Sequence, residues 1–355
     1  MKIIKLDNNN QEVIKQTLKV LHQGGLVIYP TETIYGLGVD ATNQQAVDKL
    51  LAFKSRREGK PLSIAVASQA QAQLYADLNQ QAIQFYQRFL PGPYTIISKC
   101  KSGLAKGVAS EFNTLGVRIP DHQLILQLIK QFQKPITATS ANASDKKRPY
   151  SIDDIFSNIS NKQKNLIDLV IDAGVLPKNE PSTVIDTTHS TPLTLRSSAK
   201  NVKSSDTTVI NSNSDQETKE IAGKLVLKNW SKVGKSGLVI ALNGELGAGK
   251  TIFAKGIAKF LGVKQTITSP TYTYIKEYEY QRHDTQGTFY HLDLWRVEEQ
   301  ELANQLEINK LIKKNSVVVI EWWDQVEQFF LKLKPNLKIL IEVETNDQRK
   351  LEIYE

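Results

Sequence analysis

The stretch Gly244-Glu-Leu-Gly-Ala-Gly-Lys-Thr251 reads G-x-x-x-x-G-K-[ST], a pattern suited to holding phosphate. Gly244, Gly247 and Gly249, with the small Ala248 between the last two, let the backbone curl so that successive N–H groups face phosphate oxygens. Lys250 then places a cation on the β/γ-phosphates, and Thr251 offers a hydroxyl to Mg²⁺. Such a loop also needs a metal-side carboxylate and a group that senses the γ-phosphate. Glu321 directly follows the apolar run Val317–Ile320 and is the expected carboxylate facing Mg²⁺ and water. Asp293 ends a second run and is a competing metal ligand or water positioner. Ser269-Pro-Thr271 lies where a switch segment belongs; Thr271 either contacts the γ-phosphate or Mg²⁺, or forms an ordinary turn. His291 reads as a packed or solvent histidine.

The first half holds weaker but more numerous signals. Pro30-Thr-Glu-Thr-Ile-Tyr-Gly-Leu-Gly38 is a polar, glycine-bearing turn that can approach a small ligand closely. Lys54, Arg56, Arg57 and Lys60 set four cations within a short stretch, suited to phosphate or to a solvated helix end. Leu90-Pro-Gly-Pro-Tyr-Thr95 is a rigid turn entering a strand. Arg118, embedded in the apolar Val117-Arg-Ile-Pro120, needs an anionic partner, either a protein carboxylate or a ligand. Thr139-Ser-Ala-Asn142 brings small polar side chains to a strand end, and Ser182 and Arg196 add a hydroxyl and a guanidinium. No Ser-His-Asp set, metal cluster or carboxylate pair of diagnostic spacing supports a hydrolase.

The elements that must carry these residues follow from periodicity. In the first half, strands are expected at 26–29, 62–66, 94–98, 116–119, 136–139, 169–172 and 183–186, and helices at 11–22, 44–53, 82–89 and 124–132. The order is not a strict βαβ alternation, so the fold class is α/β with a twisted, mixed sheet. In the second half an amphipathic helix at 216–230, capped by Ser214 or Asp215, precedes the strand at 238–242, the phosphate loop and a helix at 250–261. Strands at 271–280, 288–294 and 317–320, a helix at 298–311, and a hairpin of 337–344 with 349–354 complete a P-loop α/β domain.

A chain of 355 residues is long for a single core and favours two domains. Residues 200–215, rich in Ser, Asn, Asp and Thr, favour turns, which predicts domains at 1–203 and 216–355 joined by a linker at 204–215. The net charge of +8 is uneven: residues 1–203 carry 25 Lys/Arg against 16 Asp/Glu, the remainder 20 against 21. A basic first half attracts nucleic acid or a polyanion such as ATP. One cysteine, no apolar run near the roughly 20 residues of a membrane span, and no signal-peptide pattern point to the cytoplasm.

Two families share these motifs. Gly244–Thr251, Ser269-Pro-Thr-Tyr272, His291-Leu-Asp-Leu-Trp-Arg296, Glu301-Leu302 and Glu321-Trp322 resemble, in order and spacing, the small ATPase TsaE (YjeE) over about residues 215–355. That resemblance implies ATP and Mg²⁺, with Thr251 and Glu321 on the metal, Asp293 near the nucleotide and Trp322 supporting the site. The motifs of the first half resemble the YrdC-like threonylcarbamoyl-AMP synthases (TsaC) over about residues 8–200. That family uses L-threonine, bicarbonate or CO₂, and ATP. Carried over, Lys54, Arg56, Lys60, Ser140, Asn142 and Arg196 hold ATP, with Lys54 and Arg56 catalytic; Thr33, Arg118 and Ser182 hold threonine. Longer members carry His where this chain has Ala65, and the family usually has Gly after Ser-Ala-Asn-x-Ser, where this chain has Asp145; the TsaE-like half stands in place of the longer members' extra domain.

Together the resemblances imply a bifunctional fusion. One half makes the threonylcarbamoyl adenylate for tRNA modification, and the other resets a TsaD–TsaB-like transferase complex. The rivals are an RNA-binding module regulated by an NTPase, which the shortage of aromatics among the basic residues disfavours, and a small-molecule kinase.

Overall fold

The computed structural model describes residues 1–6, 10–54, 61–142, 147–189, 192–196, 207–345 and 347–355. Arg56, Lys60 and Asp145, singled out above, lie outside the described residues. The chain divides into two units, Met1–Thr188 with Pro192–Asn201, and His189–Thr191 with Val202–Glu355.

In the first unit, one sheet runs in the order Lys2–Lys5, Leu169–Asp172, Val27–Tyr29, Gly36–Gly38, Thr139–Ser140. Its first three strands are parallel and the last two antiparallel. Both faces are covered, and side chains alternate between them. Val27, Tyr29, Leu169 and Ile171 pack with Val13 and Ile14 of helix Asn10–His22 and with Leu124 and Leu128 of helix Gln123–Phe132. Leu26, Ile28 and Val170 join a second core with Val47, Leu50 and Phe53 of helix Gln44–Lys54.

The second sheet runs Leu193–Arg196, Thr183–Asp186, Tyr94–Cys100, Thr114–Arg118, Ser63–Ala65, Ile136–Thr137, with parallel and antiparallel pairs mixed. The expected strand at 136–139 is two short strands, one in each sheet, so this segment passes the chain from one sheet to the other and delivers Ser140 to the site. Sequence reading missed Lys2–Lys5 and Gly36–Gly38. The latter is too glycine-rich to read as a strand. Its glycines are required because a Cβ at Gly36 or Gly38 would stand 2.9 or 2.8 Å from the ring of Tyr29 on the neighbouring strand.

The second unit is one seven-stranded sheet ordered Thr207–Ser212, Arg349–Tyr354, Leu337–Val343, Leu238–Asn243, Ser316–Glu321, Thr285–Asp293, Ile275–Arg282. Its centre is parallel and its flanks antiparallel. Helix Asp215–Lys228 is capped by Ser214, whose Oγ accepts from the Glu217 N–H at 3.1 Å. Helix Lys250–Leu261 packs closely on it, since a Cβ at Gly256 would lie 2.5 Å from Lys219 Cα.

Three expectations are corrected. The segment 204–215, read as linker, contains the edge strand Thr207–Ser212, whose short apolar interruption buries Ile210 against the sheet. Its partner Arg349–Tyr354 is at the far end of the chain, which local composition does not reveal. The helix expected at 298–311 is two, Gln300–Gln305 and Ile308–Leu311, separated at Glu307, whose φ is +45°. The strand expected from 271 starts at Ile275, because Thr271–Tyr274 turn on Pro270, whose carbonyl accepts from Thr273 and Tyr274 N–H at 3.0 and 2.8 Å.

Candidate active sites

In the first unit the turn after Val27–Tyr29 organises itself around Thr31. Its Oγ1 accepts from the N–H groups of Thr33 and Ile34, both at 3.2 Å, donates to Ile34 O at 2.7 Å, and lies 3.0 Å from Thr33 Oγ1. Thr33 is thereby fixed and buried. Arg118, at the end of Thr114–Arg118, reaches across and donates through one terminal nitrogen to Glu32 Oε1 at 2.6 Å and Thr33 Oγ1 at 3.0 Å. Of the partners left open for Arg118, the described structure supplies the protein carboxylate.

Ser182 begins a second cluster. Arg196 Nε donates to its carbonyl and the terminal Nη2 to its Oγ, both at 2.9 Å, while Thr95 Oγ1 is 3.3 Å from that Oγ. The Arg196 pKa is lowered, first by desolvation and then by the fields of Arg118 and Arg148. Arg118 and Arg148 are thus near enough for their charges to act on Arg196. Arg148 also donates to Glu180 at 2.9 Å. Sequence reading missed Arg148 and Glu180; the Pro149 beside Arg148 and the basic run 146–148 were the signals available.

Lys54 closes the third cluster. Its Nζ donates to the backbone carbonyls of Ser140 at 2.5 Å and Asn142 at 3.0 Å, tying the helix end to the strand end. Desolvation brings the ammonium down to a pKa of about 8. Asn142 donates from its side chain to Lys147 O at 3.3 Å. Ala65 is buried and stands opposite Arg118 in the parallel pair, so a methyl occupies that place.

In the second unit the parallel register sets the chemistry. Leu242 and Asp293 are both register partners of Glu321, so the carboxylates end adjacent strands beside the strand that enters the phosphate loop. Gly244, Gly247 and Gly249 all have positive φ, at 138°, 81° and 106°. Lys250 Nζ donates to the carbonyls of Gly244 at 2.6 Å and Glu245 at 2.8 Å and sits 3.6 Å from the Trp322 ring centre. Burial lowers the Lys250 pKa, opposed by Glu321, Asp293 and Asp324.

Thr251 Oγ1 donates to Glu321 Oε1 at 3.0 Å, and His291 Nε2 is 2.7 Å from the same oxygen. His291 is fully buried and orients that carboxylate. Asp293 Oδ2 accepts from Ser269 Oγ at 2.6 Å and Thr271 Oγ1 at 3.1 Å, which fastens the switch-like segment to the site. Ala248 is buried, and its carbonyl accepts from Arg349 Nε at 3.1 Å. Arg349, which braces the loop from the sheet, was not legible locally. A hydroxyl and one carboxylate are hard oxygen donors that fit Mg²⁺ completed by water and phosphate. Among the described residues no group of three His, Cys, Asp or Glu forms a metal cage, and no helix is long and apolar enough to cross a membrane.

Comparison with known proteins agrees with this division. The Sua5–YciO–YrdC family model, described as telomere recombination, matches residues 19–198. The model for threonylcarbamoyl adenosine biosynthesis protein TsaE matches residues 212–351. The threonylcarbamoyl-AMP synthase of Psychromonas ingrahamii is 33% identical over 177 residues, covering 49% of this chain and 92% of that one. The threonylcarbamoyl-AMP synthase of Pyrococcus abyssi is 35% identical over 177 residues, covering 50% of this chain and 51% of that longer protein. Among solved structures, P. abyssi Sua5 complexed with L-threonine superposes with a TM-score of 0.51 at 22% identity, covering 90% of this chain and 91% of that one; this is a likeness of fold. The class is therefore a YrdC-like α/β domain and a P-loop α/β domain in one polypeptide. The chain belongs to the Sua5–YciO–YrdC family and carries a TsaE domain behind it.

Proposed function

We propose that the first unit is an L-threonylcarbamoyladenylate synthase. The neutral threonine amine adds to CO₂ from bicarbonate, and the proton it loses goes to the hydroxide that bicarbonate releases, leaving a carbamate. A carbamate oxygen then attacks the α-phosphorus of ATP; the new P–O bond forms as the bond to the bridging oxygen breaks and pyrophosphate leaves. Nucleophile and target are both anionic, so the reaction requires cations that neutralise and align them. The observation that carries this reading is that Arg118 donates to the hydroxyl of Thr33 and Arg196 to that of Ser182, two guanidiniums each set on a hydroxyl suited to a small anionic substrate. In this reading Arg118, Thr33 and Ser182 hold threonine; Lys54, Arg56, Lys60, Ser140, Asn142 and Arg196 hold ATP. The functional boundary falls between Arg196 and Thr207.

The TsaE domain is, in the same reading, the second ATP site. Lys250 and the loop amides bind the phosphates, Thr251 and Glu321 would hold Mg²⁺, Asp293 with Ser269 and Thr271 senses the γ-phosphate, and Trp322 backs Lys250. Bound there, Mg²⁺ would supply charge neutralisation for the phosphates. Hydrolysis resets a TsaD–TsaB-like transferase complex that acts on tRNA in the cytoplasm, and the fusion raises the effective concentration of synthesis near reset. The test is pyrophosphate release from ATP by the full chain. Release that requires both threonine and bicarbonate supports the reading; release independent of threonine refutes it.

A further inference from the structure

Glu321 and Asp293 are register partners at the ends of adjacent parallel strands, so two carboxylates stand side by side near the phosphate loop. Their partners differ completely. Asp293 Oδ2 accepts from the hydroxyls of Ser269 and Thr271, whereas Glu321 Oε1 accepts from Thr251 Oγ1 at 3.0 Å and His291 Nε2 at 2.7 Å. His291 precedes Asp293 by two residues, on the same face of the strand, and lies level with Val319, so it reaches Glu321 from deeper in the sheet. Its ring is fully buried, stacks near that of Phe289 and has no partner on Nδ1 among the described residues. A carboxylate oxygen only accepts, so Nε2 carries the proton of this bond. A buried nitrogen without a partner is unfavourable, and an apolar side chain would fill the same place without it. The ring therefore serves Glu321 and not the core.

The consequence reaches Thr251. A hydroxyl has one hydrogen and two lone pairs, and it rotates to suit its surroundings. With Oε1 of Glu321 held in place, the Thr251 hydrogen is directed at that oxygen and its lone pairs remain for a cation. Glu321 Oε2, 3.4 Å from the same hydroxyl, has no closer donor among the described residues. We propose that His291 is a positioning residue that commits Glu321, and through it the Thr251 hydroxyl, to a divalent cation, leaving Asp293 to the Ser269–Thr271 segment. The proposal rests on the reading of Thr251 and Glu321 as the metal side of the loop.

The test follows ADP binding to the full chain by tryptophan fluorescence. All four tryptophans lie in the second unit, and the Trp322 ring stands 3.6 Å from Lys250, so the signal reports that site alone. Each protein is titrated with ADP in excess EDTA and again in excess Mg²⁺, and the ratio of the two affinities is the metal gain. Wild type is expected to gain about tenfold or more, and His291→Phe, which keeps a planar ring but no donor, to lose most of that gain, as when a group orienting a metal ligand is removed. Its ADP affinity in EDTA should change by less than about twofold, because the amides and Lys250 that bind the phosphates are untouched. His291→Gln, whose amide nitrogen reaches the place of Nε2, should keep the gain to within about threefold of wild type. A full gain in His291→Phe overturns the proposal. So does an affinity loss as large in EDTA as in Mg²⁺, since His291 would then only hold the fold, and so does His291→Gln as damaged as His291→Phe. Where His291→Phe does not fold, His291→Asn takes its place; its amide stops short of Glu321, and a gain equal to that of His291→Gln overturns the proposal. Wild type that binds ADP equally with and without Mg²⁺ refutes the metal reading of Thr251 and Glu321 itself, a distinct outcome.

Discussion

Gly249→Ala separates backbone strain from side-chain collision in the phosphate loop. Gly249 has φ +106°, where an L residue is unfavourable by about 1–2 kcal/mol or more. A Cβ there would stand 2.5 Å from Nε and 3.0 Å from Cδ of Arg349, so that side chain must move. Arg349 would surrender its bond to Ala248 O at 3.1 Å, worth about 1 kcal/mol. Its 2.6 Å contact with Asp215 involves a carboxylate that is 52% exposed and adds less than about 1 kcal/mol. The expected total is about 2–4 kcal/mol. All four tryptophans, Trp230, Trp295, Trp322 and Trp323, lie in the second unit, so urea unfolding followed by tryptophan fluorescence reports that unit. With a slope of about 2 kcal/mol per molar urea, the midpoint should fall by about 1–2 M. In an Arg349→Ala background only the backbone part remains, and Gly249→Ala should be about 1–2 kcal/mol less damaging there. Equal damage in both backgrounds would refute the collision, and a midpoint unchanged in either would refute the positive-φ geometry.

Further expectations follow from the two sites. Lys250→Ala should abolish ATPase activity while leaving threonine-dependent pyrophosphate release intact, and Arg56→Ala should do the reverse; loss of both activities in either variant contradicts independent sites. Lys54, with a pKa of about 8, should lose its charge as pH rises from 7 to 9, so ATP affinity in the first unit should weaken across that range. Lys54→Arg, which stays charged, should flatten the profile in a titration of ATP binding. The same shift has a stability sign: between pH 8 and 10.5 the folded chain binds fewer protons than the unfolded chain, so this group's contribution to stability rises with pH there. Arg118→Ala strands Glu32 in a largely buried site and should destabilise the first unit by about 3 kcal/mol, the low end for a broken buried pair. Hydrogen exchange of strand Thr114–Arg118 would register the loss, and Glu32→Ala added to it should restore part; no restoration would contradict the pairing.

What the sequence determined by itself were features written in short range. The loop Gly244–Thr251, the strand before it and the helix after it are contiguous, so a short-range pattern suffices to place them. Glu321 and Asp293 were legible as strand ends for the same reason, and Leu169–Asp172 and Thr183–Asp186 fall on the expected residues. Tertiary structure decided whatever depends on partners distant in the chain. Pairing with Arg349–Tyr354 makes a strand of Thr207–Ser212, and the Tyr29 ring makes glycines necessary at 36 and 38. Arg349 reaches Ala248 from 101 residues away, Arg118 reaches Glu32 from 86, and Arg196 reaches Ser182 from 14. Charge and hydrogen-bonding capacity are properties of a residue type, whereas which charge meets which depends on the packing that brings distant residues within a few ångströms.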